Sequence, residues 1–345
     1  MAFWELYYDM RSPDWATPTD RLYRAAVEQS AWADGHGCPQ VHLSHHRFAE
    51  DGYLPGPFTM ASAIGAVTTA TRINVTALLL TLIDPVQTAE DTVIADLVSG
   101  GRIDVCVGLA YVDYEFPMSG VRMEDRAALI EAKLPAYLAA LTGEPFEYEG
   151  RTIRVRPLPA QRPRPPVLLG GAIRASARRA ARLADGFMPT SPADPSLVGL
   201  YYEECDRLGR PRGAVVNANN PFAVHVTEDP ERAWAVLGPH ALHDVNMYSK
   251  WAGGALTGYE HFEAMTDYTP LKSSPAFAVV TPDECVKLAE DLGPGYANVL
   301  RLKPLMAGLD PDVGWESLEL FASKVLPFID TVDPAPVATV LPPLR

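Results

Sequence analysis

The chain has 345 residues, 48% hydrophobic and 21% charged, and its 29 Lys and Arg against 43 Asp and Glu give a formal net charge of −14. This is the composition of a globular protein with a sizeable core, long enough for one large domain or two ordinary ones. The acidic balance argues against a nucleic-acid partner, because phosphate binding needs a basic patch. No run of about 18 apolar residues is present, so no membrane span is expected. The start, Met1-Ala2-Phe3-Trp4-Glu5, has no basic stretch ahead of an apolar run, so no signal peptide is expected. Cys38, Cys106, Cys205 and Cys285 lie far apart and form no CxxC pair, which fits a reducing, cytoplasmic setting.

Short apolar, β-branched runs alternate with longer amphipathic stretches. In chain order they predict a strand over Phe3–Tyr8, a helix over Asp20–Asp34, a strand over Gln40–Leu43 and a helix over Thr59–Ala70. A strand over Ile73–Leu80, a helix over Val86–Leu97, a strand over Ile103–Leu109 and a helix over Arg126–Leu141 follow. Next come strands over Val167–Gly170 and Gly186–Met188, divided by a helix over Ala175–Ala184, and a helix over Ser196–Leu208. The chain continues with a strand over Phe222–Val226, helices over Asp229–Leu237 and Pro282–Leu292, a strand over Val299–Leu302 and a helix over Trp315–Phe328.

Such alternation means parallel strands joined by helical crossovers. About eight strands in a chain of this size point to an α/β fold closed as a (β/α)8 TIM-like barrel. A doubly wound sheet is the second choice, since the Gly-rich turn expected after its first strand is missing. The reading is one barrel domain over 1–330, with insertions at about 146–166 and 240–275 on the C-terminal rim of the strands, and a proline-rich tail over 331–345. The first insertion holds an expected hairpin from Phe146 to Ile153 and a linker from Pro157 to Pro166. The second, His240–Pro275, reads as a long loop. It is expected to act as a lid, with Tyr248, Trp251, Tyr259, Phe262 and Tyr268 shaping an apolar pocket, or else to be a dimer contact or a disordered insertion.

Few residues announce chemistry. His45 and His46 follow directly on a short strand, where a barrel carries its catalytic groups, and imidazole exchanges protons near neutrality. A pair that merely satisfies local hydrogen bonds is the competing reading. The other histidines show no metal-ligand spacing, so no metal is expected. Gly170-Gly171 ends a buried run just before a helix that carries Arg174, Arg178, Arg179 and Arg182. Glycines and a helix N-terminus can cradle a phosphate, or simply make a tight turn. Cys106 reads as a small buried hydrophobe. Ser99-Gly100-Gly101-Arg102 reads as a helix cap and turn. Tyr111, Glu115 and Phe116 follow a strand on the same rim, and Glu115 suits either acid/base work or a salt bridge.

Taken together, these pieces resemble the bacterial luciferase-like family of flavin-dependent oxidoreductases. The resemblance runs from the first strand to about Pro327. It rests on Leu43-Ser44-His45-His46, on Thr71 through Leu78, on Asp84-Pro85-Val86 with Ala89-Glu90, and on Asp96 through Arg102. Tyr111 with Glu115-Phe116 and Gly120-Val121, then Gly143-Glu144-Pro145, Gly150-Arg151, Gly170-Gly171, Arg179 to Arg182 and Ala184 to Phe187, recur in family order.

The resemblance implies a TIM-like barrel, usually a homodimer. It implies a monooxygenase that takes reduced FMN from a separate flavin reductase and uses O2 to oxidise a small or medium organic substrate. A related group uses a reduced deazaflavin instead. His45 then becomes the acid/base candidate, with His46 beside it. Thr76, Ala77 and Leu78 would lie against the flavin ring, where the family often has a cis peptide. Gly170, Gly171, Ala172, Ile173 and Arg174 would bind the cofactor phosphate, and Tyr111, Glu115, Tyr248 and Trp251 would line the substrate pocket. The chain departs from the pattern at Ser44, where the family has glutamate, and at Leu109, Ala172 and Ala175, where phosphate-binding side chains are common. Those departures keep open a third reading, a barrel that has lost flavin binding and serves as a cofactor-free enzyme or partner subunit.

Overall fold

Fully buried apolar runs become strands, and the stretches between them become helices. The computed structural model describes residues 3–189, 194, 196–216, 221–252, 263–292 and 299–331. The chain begins with β1 (Phe3–Tyr8), α1 (Thr19–Gly35), β2 (Gln40–Leu43), α2 (Pro57–Val67), β3 (Arg72–Leu79), α3 (Pro85–Ser99) and β4 (Ile103–Gly108). It continues with α4 (Glu115–Met118), α5 (Arg126–Thr142), β5 (Phe146–Tyr148), β6 (Arg151–Ile153), β7 (Val167–Gly171), α6 (Arg174–Leu183), β8 (Gly186–Pro189) and α7 (Ser196–Arg207). It ends with β9 (Ala214–Val215), β10 (Ala223–Val226), α8 (Pro230–Ala252), β11 (Phe277–Val280), α9 (Pro282–Leu292), β12 (Val299–Leu302) and α10 (Pro311–Lys324). Among the described residues no helix is long and apolar enough to cross a membrane.

The described residues group into two compact units. The first draws on the described residues within 3–42, 49–54 and 221–331, the second on those within 43–48 and 55–216. In the first, the strand order is β11-β10-β12-β1-β2. Its pairings are parallel, with Phe3 opposite Val299 and Leu6 opposite Leu302, and β10 beside both β11 and β12. A buried carboxylate sits among these strands. Glu5 accepts from Arg301 Nε at 2.6 Å and from Gln40 Nε2 at 2.7 Å. Burial alone would raise its pKa, but the charge of Arg301 and then His42 outweigh it and hold the carboxyl at about 2.

In the second unit the order is β3-β4-β7-β8-β9, again parallel. Side by side, α2 and α3 pack so closely that a Cβ on Gly65 would lie 2.9 Å from the Ser99 Cβ. The Ser-Gly-Gly-Arg segment closes that pair from below. Gly100, at φ +69°, ends α3, and the Arg102 guanidinium donates to the carbonyls of Ser99, Gly65 and Thr68. The motif is therefore structural. The expected hairpin is present, with β5 and β6 antiparallel and Phe146 opposite Ile153.

The second insertion needs correcting. Residues 240–252, read as loop, continue α8. Gly238-Pro239 looks like a stop signal. The helix persists because Trp234, Leu237, Ala241, Val245 and Trp251 keep one buried stripe at helical spacing. Residues 277–280 form β11, a strand not anticipated in sequence. Tyr259, Phe262 and the tail over 332–345 lie outside the described residues.

Candidate functional site

Three neighbouring strands of the second unit bring their carboxyl ends to one edge. Thr76 of β3 lies opposite Cys106 of β4, which lies opposite Leu168 of β7. The register shifts between Thr76 and Leu78, leaving Ala77 as an extra residue, a bulge of the kind that redirects a strand end. Gly108 makes room for it, because a Cβ there would lie 2.9 Å from the Ala77 Cβ. The Thr76–Ala77 peptide bond is cis, as the resemblance implied. Ser44, standing in place of the family's glutamate, donates its hydroxyl to the Thr76 carbonyl at 3.2 Å. It thus anchors the bulge to the histidine segment.

The two adjacent histidines have different surroundings. His45 is buried, and its Nδ1 accepts the Leu79 N–H at 3.1 Å. The ring proton therefore sits on Nε2. Burial, then the neighbouring His46 and Arg47, hold the pKa of His45 down to about 3. His46, also buried, places Nδ1 3.1 Å from Glu115 Oε1. The same oxygen accepts the Arg47 N–H at 2.6 Å. Glu115 is fully buried on α4, and its other oxygen, Oε2, has no hydrogen-bond partner. The Tyr111 ring meets His46 edge to face at 5.4 Å.

Phe48 and Ala110 both adopt φ +61°. These left-handed turns follow Arg47 and precede Tyr111, and such conformations cost non-glycine residues about 1–2 kcal/mol. The surrounding structure holds them there, as is common beside functional groups.

A cleft of about 380 Å³ opens next to His45, within the range of small-molecule sites. Its walls include Arg47, Phe58, Leu78, Leu82 and Asp91. Of the site residues expected from sequence, only His45 and Leu78 line it. Thr76, Ala77, Tyr111 and Glu115 belong to the strand edge beside them. Sequence reasoning missed Arg47, whose Nη1 donates to the Leu82 carbonyl and Ser119 Oγ at 3.1 Å each; its position directly after the His pair was the available signal. Cys106 is buried, and burial pushes its thiol up to about 12, so it is inert as expected.

Gly170 and Gly171 end β7 on the same edge. A Cβ on Gly171 would lie 2.3 Å from the Ser176 side chain, so glycine is required for the turn to close onto α6. Ile173 and Arg174 are exposed at the start of α6, and Ile173 gives no side-chain cap. The first helical N–H groups, at Arg174 and Ala175, therefore lack intrahelical acceptors. These groups, the Arg174 guanidinium and the nearby Ser176 hydroxyl make a donor set suited to a phosphate. No sequence motif marks Ser176, because its closeness to the turn arises only when Gly171 packs against it.

Tyr248 and Trp251 belong to the first unit, where they wall in a buried charge cluster. The Arg11 guanidinium lies 4.6, 5.0 and 4.2 Å from the ring centres of Tyr53, Tyr248 and Trp251. Arg11 pairs with Asp51 and, at 3.3 Å, with Asp244. Lys303 pairs with Asp9 at 3.0 Å and with Asp244 at 2.6 Å, and His243 Nε2 lies 2.9 Å from Asp51. Burial raises the pKa of Asp244 against the opposing pull of Lys303. No sequence motif marks these scattered charges.

Histidines and a buried carboxylate thus lie near the carboxyl ends of parallel strands, the edge at which α/β folds carry their sites. A profile described as luciferase-like monooxygenase matches residues 10–291, and the chain belongs to that family. Among solved structures, the monooxygenase RslO1 from Streptomyces bottropensis shares 21% identity with a TM-score of 0.73, over 95% of this chain and 99% of that one. The oxygenating constituent of 3,6-diketocamphane monooxygenase from Pseudomonas putida, in complex with FMN, shares 17% identity with a TM-score of 0.71, over 96% and 99%. The coenzyme F420-dependent tetrahydromethanopterin reductase from Methanopyrus kandleri shares 16% identity with a TM-score of 0.63, over 95% and 99%. These likenesses show the fold, an α/β barrel of the luciferase-like type. Curated relatives match at 25% and 30% identity, and the chain spans 55% and 58% of their length.

Proposed function

We propose that the protein is a flavin-dependent monooxygenase that uses reduced FMN and dioxygen to oxidise a small or medium organic substrate. The observation that carries this reading is the common edge of β3, β4 and β7. It sets the Ala77 bulge, the histidine segment and the phosphate-suited start of α6 at neighbouring strand ends. Family membership and the FMN complex of the diketocamphane enzyme support it. Reduced FMN, supplied by a separate flavin reductase, would deliver two electrons, with one oxygen atom of O2 entering the substrate and the other leaving as water.

The chain's own residues do the rest. Backbone N–H groups at Arg174 and Ala175, the Arg174 side chain and Ser176 hold the phosphate. They take over from the side chains that Leu109, Ala172 and Ala175 lack. Residues Thr76 to Leu78 form the bed for the ring. His45, kept neutral, donates from Nε2 and stiffens the segment. Tyr111 and Glu115 border the reacting region. The four described cysteines are buried and unbridged, which supports a cytoplasmic setting. A homodimer is part of this reading. Val67, Ile94, Leu97 and Val98 are exposed on the packed α2–α3 pair, and such apolar patches mark protein contacts. Ile94→Glu is expected to convert dimer to monomer in light scattering, and a monomeric wild type would overturn the dimer.

The test is a reductase-coupled reaction with FMN, isotopically labelled dioxygen and a panel of ketones, aldehydes and aromatic compounds. The expected product carries one labelled oxygen atom. A second reading, deazaflavin-dependent hydride transfer, is favoured by the likeness to the F420-dependent reductase. Oxygen-independent turnover with a reduced deazaflavin would replace the first reading with this one. Turnover with no flavin present would instead support the barrel that has lost flavin binding.

A further inference from the structure

We propose that Arg47 is a ligand-binding residue and that the cleft beside His45 takes an amphipathic monocarboxylate. The carboxylate sits on the Arg47 guanidinium, and the apolar part lies along Phe58, Leu78 and Leu82. Calling this molecule the substrate rests on the monooxygenase reading; its binding rests on the cleft alone. Every residue that lines the cleft belongs to the second unit.

Arg47 is held at several points, but not by an opposite charge on its guanidinium. Its main-chain N–H donates to Glu115 Oε1 at 2.6 Å. Nη1 donates to the Leu82 carbonyl and to Ser119 Oγ at 3.1 Å each, which uses both hydrogens of that nitrogen. The Phe48 ring covers the guanidinium at 4.6 Å. A guanidinium has five N–H donors. The hydrogen on Nε and the two on Nη2 therefore remain, and among the described residues no acceptor takes them and no carboxylate pairs with them. Nε and Nη2 form the edge that meets a carboxylate through two parallel bonds. Other arginines of the same unit differ. Arg72 and Arg164 each meet an aspartate at 2.6 Å. Arg102, whose role is structural, places Nε, Nη1 and Nη2 all on backbone carbonyls. Arg47 alone of these four is fixed in place with its carboxylate-binding edge open.

The cleft supplies surroundings for both parts of such a ligand. Arg47 is half-buried, and Phe58, Leu78 and Leu82 are buried. Two carboxylates, Asp84 and Asp91, also line the cleft, but both are exposed on α3 and its cap, and both are engaged. Asp84 Oδ1 caps α3 by accepting the Val86 and Gln87 N–H groups at 2.9 and 2.8 Å. Asp91 Oδ1 accepts from the Gln87 side-chain amide at 3.3 Å. Their charge opposes a dianion such as phosphate, whose repulsion grows with each added charge. A single carboxylate meets the guanidinium and keeps its apolar part away from them. A neutral amide of the same shape forfeits the charge-assisted bonds and so binds more weakly.

The test begins with the full chain and no flavin. Calorimetry with benzoate and with cyclohexanecarboxylate, each against its neutral amide, is expected to show saturable binding of the acids and binding of the amides weaker by about tenfold or more. Arg47→Lys, which keeps the charge and loses the fork, is expected to weaken binding of the acids by about tenfold and to leave the amides unchanged. Nitrogen-15 NMR of the wild type needs no stable variant beyond that used for assignment: the Arg47 Nε–H resonance should shift as benzoate is added. The second part is the reductase-coupled reaction with a keto derivative of cyclohexanecarboxylate and with its amide. The keto acid is expected to show the lower KM, and Arg47→Lys to raise that KM with little change in kcat. Equal binding of benzoate and benzamide, or an Arg47 resonance that does not move, would overturn the proposal. So would loss of benzoate binding in Arg174→Ala but not in Arg47→Lys, which would move the carboxylate to the start of α6. Oxidation of neither keto compound, with benzoate bound at Arg47, would sink the monooxygenase reading and leave the carboxylate site standing.

Discussion

Two buried polar clusters, one in each unit, use charge in opposite ways. In the first unit, Arg11 and Lys303 meet Asp9, Asp51 and Asp244 within 3.3 Å, and aromatic faces cover the cations. Every charge there has an opposite charge beside it. In the second unit, the cluster holds two histidines and one carboxylate, Glu115. Both clusters sit at strand ends, Asp9 following β1 and Lys303 following β12. Polar atoms without hydrogen-bond partners do not separate them, because Arg11 Nη2, Asp51 Oδ1 and Asp244 Oδ1 in the first share that property with Glu115 Oε2 in the second. Dense ion pairing and surroundings do: opposite charges and aromatic walls lock loops in the first, whereas His45 of the second lines an open cleft.

The comparison breaks most visibly at Arg11. Arg11→Met leaves Asp51 buried with only His243 beside it and Asp244 with Lys303 alone, and the expected loss is about 3–5 kcal/mol, read by urea denaturation. A loss below about 1 kcal/mol would show that the cluster is not a lock. Glu115→Gln keeps shape and both hydrogen bonds to Oε1, so its expected cost by the same measurement is only about 1 kcal/mol. A drop as big as that of Arg11→Met would make Glu115 a structural residue after all.

A separate effect, spread over several pH units, comes from acid. The unfolded chain protonates a histidine near 6.5, whereas burial holds His45 at about 3 and His225 at about 4 in the folded chain. Between those values the unfolded state binds more protons. Stability therefore falls as pH drops below 6.5, by up to about 1.4 kcal/mol per pH unit for each group. It stops falling on this account below about 3. Glu5, held at about 2, adds a loss as pH falls from 4.5 through that value. His45→Asn should flatten the slope between pH 6 and about 4 in thermal melts, and an unchanged slope would contradict a neutral, buried His45.

Much of this was legible in sequence, for physical reasons. The strands β1, β2 and β12 fall where apolar runs are bounded by polar residues, and their ends match the residues predicted. The extension of α8 was hidden because Gly238-Pro239 is a local stop signal that a tertiary stripe overrides. At the site, the position of His45 and His46 on the rim followed from the strand before them. Their different surroundings did not. Leu79 is 34 residues from His45 and Glu115 is 69 from His46, and only folding brings those partners together. The phosphate-suited turn was legible as two glycines before an arginine-bearing helix, but Ser176 was not, because its value depends on the closeness of Gly171. The Arg11 cluster left no trace at all, being assembled from four separate stretches of chain.

The account stands or falls on whether the second unit's edge holds a reduced flavin. The decisive measurement is an anaerobic titration of the full chain with reduced FMN, followed by fluorescence or calorimetry, with a reduced deazaflavin as comparison. The account predicts saturable binding of reduced FMN at micromolar concentration, weakened about tenfold or more by Arg174→Ala. Binding of the deazaflavin alone, or of neither, would contradict it.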